Sequence, residues 1–115
     1  MSLVMKLVGI VVVVMVAAAP IAEATISCGQ VVSTLSPCIG YVKGTEPEVR
    51  APCCIAVKKL NGNSTPDRRA ECTCLKQFYG EHREFDIKKA AAIPHICNVN
   101  VGYEISLGVD CSTIH

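Results

Sequence analysis

Eight cysteines, spaced C-x9-C-x14-CC-x17-C-x-C-x22-C-x13-C from Cys28 to Cys111, constrain this chain more than any other feature. The set is dense and even, which reads as four disulfides formed in an oxidising compartment. Metal binding is the competing reading. The adjacent Cys53-Cys54 and the Cys72-Thr73-Cys74 triplet are not the C-x2–4-C pairs of zinc modules, and only His82, His95 and His115 are there to assist. Spacing alone leaves on the order of a hundred pairings open. A Cys53–Cys54 bridge is disfavoured, because neighbouring Cα atoms lie closer than a disulfide accepts.

The stretch before the cysteines has a different character. Lys6 supplies a short positive start, Leu7 to Ala19 is apolar without interruption, and Ala22-Glu23-Ala24 has the form of a cleavage site. That order predicts a secretory signal peptide over residues 1–24. A membrane anchor is the alternative, but the apolar run from Leu7 to Ala22 is 16 residues, short of the ~18–20 needed to span a bilayer. The mature chain is then one domain, residues 25–115. Lys6 and Glu23 leave together, so 11 basic and 10 acidic residues fall to ten and nine and the net charge stays +1. Such a balance gives no strong attraction to nucleic acid or to an anionic membrane.

The mature part has no Trp and only five aromatic residues, Tyr41, Phe78, Tyr79, Phe85 and Tyr103. Each disulfide contributes ~2–4 kcal/mol, largely by restricting the unfolded chain. A chain so reinforced tolerates an incompletely filled interior.

Helical patterns dominate the mature chain. Ser27 is placed to cap a first helix, with Val31, Leu35, Cys38, Ile39 and Val42 on one face. Pro37 should kink it, and Gly44 should stop it. Thr45-Glu46-Pro47 predicts the opening of a second helix, with Pro47 in its first turn and Val49, Cys53, Val57 and Leu60 on one face. Asn61-Gly62-Asn63 is a turn. Ser64-Thr65-Pro66-Asp67 is the clearest helix start: a capping hydroxyl, a proline, and an acid at the positive end of the helix dipole. Ala70, Cys74, Leu75 and Phe78 follow at helical spacing, and Gly80 ends the run. Asp86 predicts a cap for a fourth helix that stops near Pro94. Beyond Cys97, Val99, Val101, Tyr103, Ile105, Leu107 and Val109 alternate as in a half-buried strand. No second strand-like run exists to pair with it, so an extended tail laid over the helices is expected.

The order of single, single, doublet, C-x-C, single, single resembles the eight-cysteine framework of plant four-helix proteins, and within it the type 1 non-specific lipid transfer proteins. Ile26-Ser27-Cys28-Gly29-Gln30-Val31 and Cys72-Thr73-Cys74-Leu75-Lys76 support this. Ser64-Thr65-Pro66-Asp67-Arg68 and Gly102-Tyr103-Glu104-Ile105-Ser106 are similar to that family's two pentapeptide motifs. The resemblance implies an all-α fold: a four-helix, disulfide-stapled bundle with a long extended C-terminal tail enclosing a hydrophobic tunnel. It implies the pairing Cys28–Cys74, Cys38–Cys53, Cys54–Cys97 and Cys72–Cys111, which polar Thr73 favours over the swapped pairing of the sister type. Two departures bear on the tunnel. The Cys54–Cys72 segment is slightly short, and Gly102 stands where the family usually has proline, which predicts a looser tail around Tyr103.

A carrier needs an apolar sleeve and a polar mouth. For the sleeve we expect Val31, Leu35, Ile39, Val57, Leu60, Ala70, Leu75, Ala91, Ile93, Ile105 and Val109. Each buried methylene of an acyl chain is worth ~0.8 kcal/mol, so about eight give ~6 kcal/mol before ordering costs. At the mouth, the resemblance points to Arg68 and Tyr103. A guanidinium holds a carboxylate or phosphate with two parallel bonds, and a phenol donates a third. Lys58 is a weaker candidate. The expected cargo is a fatty acid, lysophospholipid or phospholipid. The expected protein is a secreted monomer in the extracellular space or cell wall, touching membranes transiently, with no metal or cofactor and no nucleic-acid partner.

His95 and Asp110 invite a catalytic reading, but no seryl elbow or free cysteine nucleophile accompanies them, so no enzyme activity is expected. Asn63-Ser64-Thr65 fits the N-glycosylation pattern, with Pro66 following at once. A hydrolase inhibitor on the same framework would need a rigid exposed loop, and neither 61–63 nor 80–84 suggests one. A storage protein would be rich in glutamine, whereas the mature part has only Gln30 and Gln77.

Overall fold

Ser27 opens the first helix with a reciprocal cap. Its Oγ accepts the Gln30 N–H at 3.1 Å, and its own N–H donates to Gln30 Oε1 at 2.8 Å. The computed structural model describes residues 24–115, so the signal peptide expected over residues 1–24 lies, Ala24 apart, outside the described residues. Helix α1, Cys28–Thr34, gives way at Pro37 to a 3-10 turn, Ser36–Cys38, and resumes as α2, Ile39–Lys43. Together they form one bent helix, as the proline requires. Gly44 ends α2 with φ 87°, a left-handed conformation that glycine adopts without a Cβ clash.

Helix α3, Ala51–Asn61, starts later than the sequence predicts. Pro52, not Pro47, sits in its first turn. The cause is local: the N–H groups of Thr45 and Glu46 both donate to the Gly40 carbonyl, at 2.9 and 3.0 Å, and wrap residues 45–50 back against α2. Helix α4, Thr65–Glu81, begins where predicted, with Ser64 Oγ accepting the Asp67 N–H at 3.4 Å. Helix α5, Ile87–Ile96, is capped by Asp86, whose carboxylate accepts the Lys88 N–H at 2.9 Å. It runs through Pro94 instead of stopping there. Pro94 is buried in the last turn and its carbonyl accepts the Val99 N–H at 2.8 Å, so burial and a turn bond offset the missing donor.

The alternating tail forms no strand among the described residues. Side chains of α3 and α4 serve where a partner strand would. Asn61 Nδ2 donates to Asn100 O at 3.1 Å, Arg69 Nε to Ile114 O at 2.7 Å and Lys76 Nζ to Val109 O at 2.6 Å. Arg68 takes two carbonyls, Val101 O through Nη2 and His115 O through Nη1. A short 3-10 turn, Cys111–Thr113, closes the described chain. Gly102 has φ 80°, which a proline cannot adopt, and its N–H donates to Asn100 Oδ1 at 3.0 Å. The tail around Tyr103 is therefore tied at a left-handed turn specific to glycine, rather than left slack by the loss of a proline.

Four disulfides join these parts: Cys28–Cys74 links α1 to α4, Cys38–Cys53 the first 3-10 turn to α3, Cys54–Cys97 α3 to the end of α5, and Cys72–Cys111 α4 to the tail. The pairing is the one the resemblance implies. Two buried clusters flank the interior. One holds Cys38, Val42, Cys53, Ala90, Ile93 and Cys97, the other Val31, Leu60 and Cys74. Four of these nine are half-cystines, so the cross-links themselves supply much of the packed matter, and large side chains are left to face inward elsewhere.

Candidate functional site

Helix α4 turns a regular stripe toward the interior. Arg68, Glu71, Leu75, Phe78 and Tyr79 all line one cavity. The ten residue steps from Arg68 to Phe78 span about 15 Å along the helix axis. The cavity measures about 90 Å³, well above the ~10–15 Å³ that a single water needs. The interior is thus not filled by the protein's own side chains.

Of the sleeve expected from sequence, Leu35, Ile39, Val57, Leu60, Leu75, Ile93 and Ile105 line this cavity. Val31, Ala70, Ala91 and Val109 do not. Val31 is fully buried in the cluster with Leu60 and Cys74, and Val32 lines the cavity in its place. Ala91 faces an outer groove beside His95 and the tail, and Ala90 takes the inner position. Val109 lies in a small separate recess with Cys72 and Lys76. Ala70 is half-buried but off the α4 stripe. Three aromatic rings that the sequence reading left out of the sleeve also line the cavity. Phe78 and Phe85 stack at 5.2 Å between centroids, 7° from parallel, and Tyr79 meets Phe78 edge-on at 5.4 Å. The 3–4 spacing of positions 68, 71, 75, 78 and 79 was the available signal for α4.

Polar groups gather at the other end. Asn61, Arg68, Glu71 and Tyr103 line the cavity there. Arg68 is half-buried, and its two Nη atoms donate to the tail carbonyls already described. Tyr103 is half-buried, and burial raises its phenol pKa, with the Glu71 charge adding to the rise and Arg68 opposing it. Tyr79 is pushed up to about 12 by burial. Lys58 is exposed on α3 and lies outside the lining.

Glu71 was not foreseen. It is 5% exposed, the one charged side chain among the buried residues described. Its Oε1 accepts from Asn63 Nδ2 at 2.7 Å. Burial raises its carboxyl pKa, the Asn63 hydrogen bond opposes this, Asp67 adds to it and Arg68 opposes it. The two residues that invited a catalytic reading stay apart in role. His95 is exposed, while Asp110 accepts from the Ser112 N–H and hydroxyl at 3.0 and 2.6 Å.

Fold and site together define a disulfide-stapled, all-helical protein built around an apolar cavity with one polar end. The family described as protease inhibitor/seed storage/LTP matches residues 28–111. A non-specific lipid-transfer protein of Macadamia integrifolia is 46% identical over 112 residues, covering 96% of this chain and 90% of its own. Non-specific lipid-transfer protein 1 of Solanum lycopersicum is 44% identical over 116 residues, 99% of each chain. Among solved structures, barley non-specific lipid transfer protein 1 in complex with a lysophosphatidylcholine is 41% identical with a TM-score of 0.71, covering 78% of this chain and all of its own. The wheat protein complexed with two phospholipid molecules is 40% identical with a TM-score of 0.69, covering 77% of this chain and all of its own. The chain belongs to this family, as one of its plant non-specific lipid-transfer proteins.

Proposed function

We infer that this protein binds lipids by their acyl chains in the central cavity and carries them between surfaces. The observation that carries the reading is the apolar cavity framed by cross-linked helices, in a chain whose barley and wheat relatives hold a lysolipid and phospholipids. Methylenes are alike, so burial along the sleeve gives affinity without much dependence on chain identity. The fatty acid, lysophospholipid or phospholipid head group sits at the polar end, among Arg68, Tyr103 and Asn61. Its carrying role needs no chemical step, and the cysteines are all held in disulfides.

The same reading makes the protein a secreted monomer, matured by cleavage after Ala24, that touches membranes only while loading or unloading. Intact-mass measurement of the exported protein tests the cleavage: Thr25 is expected as its first residue. Displacement of a fluorescent fatty acid from disulfide-intact protein tests the function. Saturable micromolar binding, lost on reduction of the disulfides, is expected. No binding by the intact protein, or undiminished binding by the reduced one, overturns the cross-linked cavity as the site.

A further inference from the structure

Resting on the lipid-binding reading, we propose that Glu71 makes this cavity selective: ionised, it disfavours lipids with an anionic head group and favours those offering a hydroxyl or ammonium donor, and protonation removes the bias.

Glu71 is placed for this role by geometry. It is 95% removed from solvent yet lines the cavity, one turn of α4 beyond Arg68 and alongside Tyr103. One oxygen is held by Asn63, which leaves the carboxyl oriented by a neutral partner and not neutralised by a cation. Arg68, the nearest cation, spends its two Nη groups on Val101 and His115 carbonyls. A head group arriving at this end therefore meets a carboxylate beside a guanidinium already engaged. Ionised, Glu71 accepts a hydrogen bond from a hydroxyl or ammonium and repels a carboxylate or sulfate. Protonated, it donates to an anion instead.

The charged and titratable groups facing Glu71 are few. On its own helix they are Asp67, which raises its pKa, and Arg68, which lowers it. From the tail comes Tyr103, a phenol already raised by burial that stays neutral below pH 8. The cavity residues of α1 and α3, Val32, Leu35, Val57, Leu60 and Asn61, carry no charge. Burial holds the Glu71 carboxyl above its ordinary value, so protonation is reached at a higher pH than for a solvated glutamate.

The test uses the mature, disulfide-intact protein and two probes of equal chain length, hexadecanol and hexadecyl sulfate. The sulfate keeps its charge across pH 4–8, so any change in its affinity relative to the alcohol reports the protein. For the wild type, the affinity ratio of sulfate to alcohol should fall on the order of tenfold between about pH 4 and pH 7.5. In Glu71→Gln, which keeps the acceptor for Asn63, the ratio should stay flat and the sulfate should bind more tightly at pH 7.5. A wild-type ratio that does not change with pH overturns the proposal even without the variant. So does an unchanged pH profile in Glu71→Gln. Failure of both probes to bind at any pH sinks the lipid-binding reading itself. Binding of both with a constant ratio sinks only the role of Glu71.

Discussion

Thr25 holds Asp67 with two donors. Its backbone N–H reaches Oδ1 at 2.6 Å and its hydroxyl reaches Oδ2 at 2.9 Å. The Ile26 N–H adds a third bond to Oδ1 at 3.2 Å. The carboxylate thus pins the segment before α1 to the first turn of α4, 42 residues away. Cleavage after Ala24 would turn the Thr25 nitrogen into an ammonium at the same place, adding charge to a bond already made.

The first prediction concerns acid stability. The Thr25 backbone hydrogen bond, foremost, lowers the Asp67 pKa below its ordinary 3.8. A depressed folded-state value stabilises the fold above the unfolded pKa, and the contribution disappears as pH falls through the folded one. Thermal melts of Asp67→Asn should therefore lie below wild type above about pH 4 and converge with it as pH falls through the depressed folded-state value. Parallel curves across that range would show that the bond has no linkage to folding.

Glu71 should behave with the opposite sign. Its folded-state pKa is raised above 4.5 by burial. The protonated form is the better accommodated one, so stability is fully present below about pH 4.5 and declines as pH rises through the raised value. Glu71→Gln should melt a few degrees above wild type at pH 7 and with it at pH 4. A variant less stable at pH 7 would show that the ionised carboxylate is held better than its burial implies.

Asn63 is committed to Glu71, which bears on its glycosylation pattern. An attached glycan would occupy the Nδ2 that donates to the buried carboxylate. The exported protein is expected to carry unmodified Asn63, read by intact mass. Asn63→Ala should cost about 1–3 kcal/mol, because it strands a buried acceptor. A stabilising effect would sink this account.

Arg68 should act first on the tail. It donates to carbonyls 33 and 47 residues away, Val101 and His115. Arg68→Lys keeps the charge but loses the fork that reaches both. Faster amide hydrogen exchange around residues 100–104 is expected in the lysine variant, with the helices unchanged. If exchange there is unaltered, the guanidinium is free for head groups and the tail is held by other contacts.

Much of the fold was legible because its signals are local. Ser27, Ser64 and Asp86 cap helices through bonds spanning two or three residues, and Pro37 bends a helix by lacking one N–H. Pro47 misled because its neighbours Thr45 and Glu46 were already spent on the Gly40 carbonyl, a bond that the order of residues does not announce. The sleeve was legible in kind but not to the residue. Val31 and Val32, or Ala90 and Ala91, are chemically equivalent neighbours. Which one faces the cavity depends on how a short helix is rotated between two packed flanks.

Glu71 was illegible for a different reason. A glutamate on a polar helix reads as solvated, since charged residues are seldom buried. Asn63 donates to Glu71, and the tail residues Val101 and Tyr103 line the same cavity, in a tail joined to α4 by the cross-link from Cys72 to Cys111. The sequence alone determined the cross-linked helical class, the three helix starts capped by Ser27, Ser64 and Asp86, and an interior rich in apolar side chains, because periodicity, capping and cysteine spacing act over a few residues. Only the tertiary structure decided where the tail lies, which side chains line the cavity and that a carboxyl stands at its polar end. Those depend on contacts between segments tens of residues apart, whose geometry no local pattern encodes.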